Sequence, residues 1–194
     1  ANLTAALSYC ATHPRPEPFA KRVFERNVDL ACVAPLYGLL DLHDVRRFWR
    51  DPDKSRRMAS WIKGEIRGTA YSYLGRRVRR ALQFPLASPL RLFEEPAPPG
   101  SRRLPPFFTT VGTADPLLGD TIRLSDALQQ RDTECELHVF RGEIHAFNVL
   151  LWRAAAREQW GALFDFLDKY MHGTTEDAPE QAPHYISLAE TFAE

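Results

Sequence analysis

An α/β architecture with parallel strands is what this 194-residue sequence predicts, and three observations carry the expectation. The last third alternates strand-like and helix-like segments, a pattern that favours parallel pairing through crossovers. Residues 28–34, Val-Asp-Leu-Ala-Cys-Val-Ala, form a mostly apolar run of the kind shown by a strand buried on both faces. An acid and a histidine fall in loops just after two successive strands, where the functional groups of open α/β sheets gather.

The elements follow in order. Residues 2–10 place Leu3, Ala6, Leu7 and Cys10 at helical spacing and predict a short helix, halted by Pro14, Pro16 and Pro18. The run 28–34, ended by Pro35 and Gly38, is the first expected strand. Between 44 and 82 the apolar residues recur at mixed helical spacings, with Phe48 beside Trp49, Trp61 beside Ile62, and Tyr71 ahead of Leu74. An Asp-Pro-Asp at 51–53 and Gly64, Gly68 and Gly75 interrupt them, so several short helices are expected rather than one long one. The proline-rich stretch 84–106 reads as an extended connector. Then come a strand at 107–112, a helix at 120–131, a strand at 136–140 and a closing helix at 153–171. The expected organisation is a first core segment at 1–43, a cap-like insertion with its connector at 44–103, a second core segment at 104–172 and an acidic tail at 173–194. About three strands are too few for an open sheet, which usually has about five or six, so the chain reads as part of a larger sheet.

Composition excludes several classes. At 44% hydrophobic residues the chain can bury a full core, yet its longest uncharged apolar stretches fall well short of the roughly 20 residues that cross a bilayer. A formal net charge of zero gives no argument for nucleic acid as a partner. The dense basic run at 76–80 reads as a solvated helix face rather than a phosphate site. Cys10, Cys32 and Cys135 are too few and too scattered for a disulfide framework or a zinc site, which points to a reducing, cytoplasmic setting.

Two loops carry candidate chemistry. After the 107–112 strand comes Gly112-Thr113-Ala114-Asp115-Pro116-Leu117, and after the 136–140 strand comes Arg141-Gly142-Glu143-Ile144-His145-Ala146-Phe147. Taken alone, Asp115 reads equally as an Asx turn before proline, and His145 as a loop histidine. Together, at equivalent ends of successive strands and in the order acid then histidine, they suit an acid that orients a general base.

These motifs, with Leu86-Ala87-Ser88-Pro89-Leu90 and Leu104-Pro105-Pro106 ahead of them, resemble the C-terminal half of the hormone-sensitive-lipase-like carboxylesterases. The resemblance covers 1 to about 171 and implies an α/β-hydrolase fold, a mostly parallel sheet flanked by helices with a helical cap. It implies Asp115 as the triad acid, His145 as the triad base, and Gly142 as the residue that allows tight approach to the histidine loop. Ala1-Asn2-Leu3-Thr4-Ala5-Ala6 resembles the continuation of a Gly-x-Ser-x-Gly elbow, with the nucleophile three residues before Ala1. The sequence itself holds neither that elbow nor a glycine-rich loop to supply oxyanion amides. Where the family often has a second acid after Asp-Pro-Leu, this chain has Gly119 and then Asp120.

The resulting expectation is a serine carboxylic-ester hydrolase completed by an N-terminal segment of the same enzyme, acting on a small-molecule ester without metal or organic cofactor. Phe147 is the expected substrate contact. Trp49, Trp61, Tyr71 and Tyr73 are candidates for an acyl pocket or for helix packing. Pairing of the chain into a homodimer is left open. The rival expectations are a non-catalytic ligand-binding module on the same fold and a structural or assembly fragment.

Overall fold

The computed structural model describes residues 1–50, 58, 60–75 and 84–171. The break at 51–53, the basic run 76–80 and the acidic tail 173–194 lie outside the described residues.

Two strands, β1 (Phe107–Gly112) and β2 (Cys135–Phe140), pair in parallel, with Phe107 opposite Cys135 and Gly112 opposite Phe140. Adjacent residues of a strand face opposite sides of a sheet, and Phe107 and Phe108 begin β1 accordingly. Phe107 packs edge-on against Phe93 on one side, while Phe108 meets Phe166 on the other. Both rings are fully buried, a gain of about 1.5–3 kcal/mol each. The sheet is thereby the middle of three layers.

On the Phe107 side lie α1 (Asn2–Thr12), α5 (Pro89–Glu94) and α6 (Leu118–Gln129), which contribute Ala5 and Tyr9, Leu90 and Phe93, and Leu124 and Leu128 to one core. On the Phe108 side, α7 (Ala154–Met171) lays Leu163 and Phe166 against Cys32, Ala34 and Leu36. A further cluster is built from Leu42, Phe48, Ile66 and Leu74, carried by the 39–48 segment with α3 (Arg47–Arg50) and by α4 (Ser60–Leu74). The eight-residue α2 (Pro18–Glu25) completes the α-helices among the described residues.

Four elements differ from the sequence expectation. Residues 28–34 form a single parallel bridge, Val33 to Phe107, rather than a strand. Val33 donates to the Pro106 carbonyl and accepts from Phe108, but Val28 is half exposed and Pro35 cannot donate to a ladder. Pro18 starts α2 instead of prolonging the loop, because proline is well suited to the first helical position, where its missing N–H costs nothing. Pro89 does the same for α5 inside the proline-rich connector. Helix α4 runs unbroken through Gly64 and Gly68, since Ile66, Ala70 and Leu74 lock one of its faces into the core.

Candidate active site

Strand β1 ends at Gly112 and β2 at Phe140, so the loops that follow them emerge side by side. Three backbone bonds tie these loops together or close the turn: Thr113 N–H donates to the Phe140 carbonyl at 2.9 Å, Ala114 N–H to Glu143 at 3.0 Å, and Asp115 N–H to Gly112 at 3.0 Å. The contact needs a glycine at 112, because a Cβ there would sit 2.0 Å from the Glu143 carbonyl oxygen. Gly112, not Gly142, therefore allows the close approach. Gly142 serves a turn at φ +73°, with open space where a Cβ would stand, and its N–H donates to Thr113 Oγ1 at 2.8 Å.

Asp115 makes an Asx turn and also meets His145. Its Oδ1 accepts the Leu117 N–H at 2.8 Å, the Asx turn before helix α6, and its Oδ2 lies 2.9 Å from His145 Nδ1. The carboxylate is fully buried, whereas 31% of the imidazole is exposed. A buried carboxylate needs hydrogen-bond donors, and these two supply them. Because Nδ1 is taken, Nε2 is the nitrogen left for chemistry at the surface.

That surface is a cavity of about 500 Å³, lined by His145 together with Leu36, Tyr37, Trp61, Leu117 and Ala1 among others. Among the described residues no serine or cysteine lines it. A hollow of about 550 Å³ opens at the opposite end of β1, among Thr12, Asp29, Arg102 and Glu134, away from the acid and histidine. Among the described residues no group of three or more His, Cys, Asp or Glu is placed to hold a metal, and no helix is long and apolar enough to cross a membrane.

A family model described as the alpha/beta hydrolase fold matches residues 1–149. The chain belongs to that family. Solved structures with the same fold include an esterase/lipase from an uncultured bacterium, 17% identical with a TM-score of 0.63. It is matched over 88% of this chain and 50% of its own. Carboxyl esterase 2 of the mycorrhizal fungus Tuber melanosporum is 18% identical with a TM-score of 0.62, over 88% of this chain and 51% of that one. A Pyrobaculum calidifontis esterase is 17% identical with a TM-score of 0.58, over 89% and 50%. The chain thus spans about half the length of these structures. No curated protein matches it.

Other expected site residues of this α/β-hydrolase are placed differently. Phe147 is fully buried and packs on Phe140 at a ring separation of 5.0 Å, with Ala156 in the same cluster, so it is a core residue with no surface left for substrate. The reason is the left-handed Ala146, φ +58°, which turns the chain inward after His145. Of the four cap aromatics, Trp61 lines the cavity; Trp49 packs on Phe48, and Tyr71 and Tyr73 are exposed away from it.

The chain also holds a charge network that the motifs only hinted at. Asp120, buried at the start of α6, accepts from the Leu40 and Asp41 backbone N–H groups at 2.9 and 3.1 Å. Both of its oxygens also receive Arg47, at 2.7 Å each. Burial raises the Asp120 pKa, and the Arg47 charge opposes that rise without cancelling it. Burial acts the same way on Asp41, but Arg91 and Arg47 outweigh it and hold that pKa below the usual carboxylate range. The two acids thereby bolt the 39–47 segment, and the cavity wall it continues, to the helix that follows the acid loop. Asp120 was visible as a displaced acid; Arg47, which lies 73 residues away in sequence, carried no signal.

Proposed function

We propose that this chain supplies the acid and base of a serine carboxylesterase of the hormone-sensitive-lipase-like type. The observation that carries the reading is the 2.9 Å link between a fully buried Asp115 carboxylate and His145 Nδ1, on an imidazole that borders a mostly apolar cavity. Ala1 lines the same cavity, so a residue shortly upstream of it in a longer chain would come within reach of Nε2. The nucleophilic serine and the oxyanion amides belong to that upstream segment in this reading. The esterases among the structural neighbours, roughly twice as long as this chain, support it.

The chemistry then runs in two halves. His145 Nε2 takes the proton of the serine hydroxyl as its oxygen adds to the ester carbonyl carbon. The imidazolium, steadied by Asp115, returns that proton to the departing alcohol, leaving an acyl-serine. Water repeats the sequence, releasing the carboxylic acid and restoring the serine. The partner is a small-molecule ester with an apolar portion that fits the cavity, and the cysteines, all free among the described residues, support a reducing, cytoplasmic setting.

The test is turnover of p-nitrophenyl butyrate by the longer protein and by this chain. The longer protein should turn over, this chain should not, and His145→Ala should remove activity from the longer protein. Unchanged turnover after His145→Ala would refute the assignment. Binding of the ester by the longer protein without hydrolysis would favour a ligand-binding module on the same fold.

A further inference from the structure

Two non-glycine residues beside the imidazole have left-handed backbones: Ala146, which follows it in sequence, and Tyr37, which reaches it from another segment with φ +33°. An aromatic residue rarely adopts this conformation, and it persists only where the surroundings over-determine it. Around Tyr37 they do. Its N–H donates to the Thr110 carbonyl on β1 at 3.0 Å. Its hydroxyl donates to Asn148 Oδ1 at 2.6 Å. Asn148 is buried, and its backbone carbonyl accepts the Trp160 indole N–H of α7 at 2.9 Å. The Tyr37 ring, held at both ends, stands edge-on to His145 with centroids 5.2 Å apart and planes at 78°.

We propose that Tyr37 is a positioning residue for His145. Asp115 fixes the imidazole from the buried side through Nδ1, and the tethered Tyr37 ring walls it on a second side, holding Nε2 toward the cavity. A histidine with 31% of its side chain exposed has room to swing outward and exchange the Asp115 bond for water; the Tyr37 ring occupies part of that room. The edge-on arrangement suits the charge distribution of both rings. The hydroxyl stays a donor at neutral pH, because burial raises its pKa, a tendency that the Asn148 bond opposes and the nearby Asp115 charge reinforces.

The inference rests on the reading of His145 as the base, yet it concerns the state of one imidazole and is measurable on this chain without turnover. The experiment is ¹⁵N NMR of the histidine rings in the full chain, comparing the native protein with Tyr37→Phe, Tyr37→Ala and Asp115→Asn. The native His145 should show a single tautomer with its proton on Nδ1. Tyr37→Ala should give a mixture, with at least a threefold rise in the minor tautomer, and Tyr37→Phe a smaller rise, because the ring wall remains and only its tether is lost. The signals of His138, which packs on Phe108 elsewhere on the sheet, should not move, whereas general loosening of the fold would shift them too. If Tyr37→Ala does not fold, Tyr37→Phe decides by the same criterion. If Asp115→Asn changes the His145 tautomer and the Tyr37 variants do not, the positioning role is overturned while the acid–base pair stands. If none of the variants changes it, the pair itself is wrong, and the positioning role with it.

Discussion

Replacing Gly112 with alanine sets a methyl group against the carbonyl that joins the acid loop to the histidine loop. The new Cβ would lie 2.0 Å from the Glu143 oxygen and 2.4 Å from its carbon. Both are backbone atoms, so no side-chain rotation relieves the clash. Reaching an ordinary contact of 3.4 Å requires a displacement of about 1.4 Å, the difference between 3.4 and 2.0. That shift is enough to break the 3.0 Å bond from Ala114 to Glu143 and to disturb the 2.9 Å link from Asp115 to His145 two residues further on. A lost hydrogen bond costs about 1 kcal/mol and overpacking about 1–3 kcal/mol, so Gly112→Ala should destabilise the chain by roughly 2–4 kcal/mol. With a urea slope of about 2 kcal/mol per M, the unfolding midpoint should fall by about 1–2 M. Gly142→Ala, strained only through its positive φ, should cost about 1–2 kcal/mol and leave the pair intact. Urea unfolding followed by fluorescence, with the His145 ring signals as a second readout, checks both. A Gly112→Ala protein with native stability and a native His145 tautomer would refute the argument that loop contact sets the pair.

Four further outcomes follow from the packing and charge. Arg47→Met leaves Asp120 buried against two backbone donors without its cation, and should cost about 3–5 kcal/mol in urea unfolding, part of it recovered by adding Asp120→Asn. Burial, and after it the charge of Arg131, push the His13 imidazole down from 6.5 to about 4. The unfolded state therefore binds the extra proton between those values. Stability present above pH 6.5 should fall by up to about 3 kcal/mol as pH drops toward 4, and unfolding curves at several pH values should lose that slope in His13→Gln. Gly64→Ala and Gly68→Ala lie in helix α4 with open space for a Cβ, and each should raise stability by about 0.5–1 kcal/mol, read as a higher thermal midpoint. Phe147→Ala should cost about 3–5 kcal/mol by opening a cavity beside Phe140; unchanged stability with altered substrate affinity would restore its reading as a substrate contact.

Residue type and short spacing made part of this chain legible from its letters. Strand β1, the parallel β1–helix–β2 unit and the closing helix follow from apolar runs and periodicity, which local backbone geometry converts directly into elements. The placement of Asp115 and His145 at adjacent strand ends follows from the alternation, since parallel strands put successive loops on one edge. The motifs around them carried the family. The serine-hydrolase reading came from resemblance, because no residue of this chain signals a nucleophile.

The tertiary structure decided the rest, for reasons of packing and distance. Gly64 and Gly68 break a helix by propensity, a matter of about 1 kcal/mol each, but the buried face of Ile66, Ala70 and Leu74 outweighs it. Phe147 lies two residues after His145 in sequence, and only the inward turn at Ala146 sends it into the core. Gly112 and Gly142 are alike on paper; the approach of Glu143 distinguishes them. Tyr37 and Arg47 reach their partners across 111 and 73 residues of chain. No local pattern encodes such contacts, because they depend on how the layers close over one another. The sequence determined which residues have the chemistry, and the packing determined which of them meet.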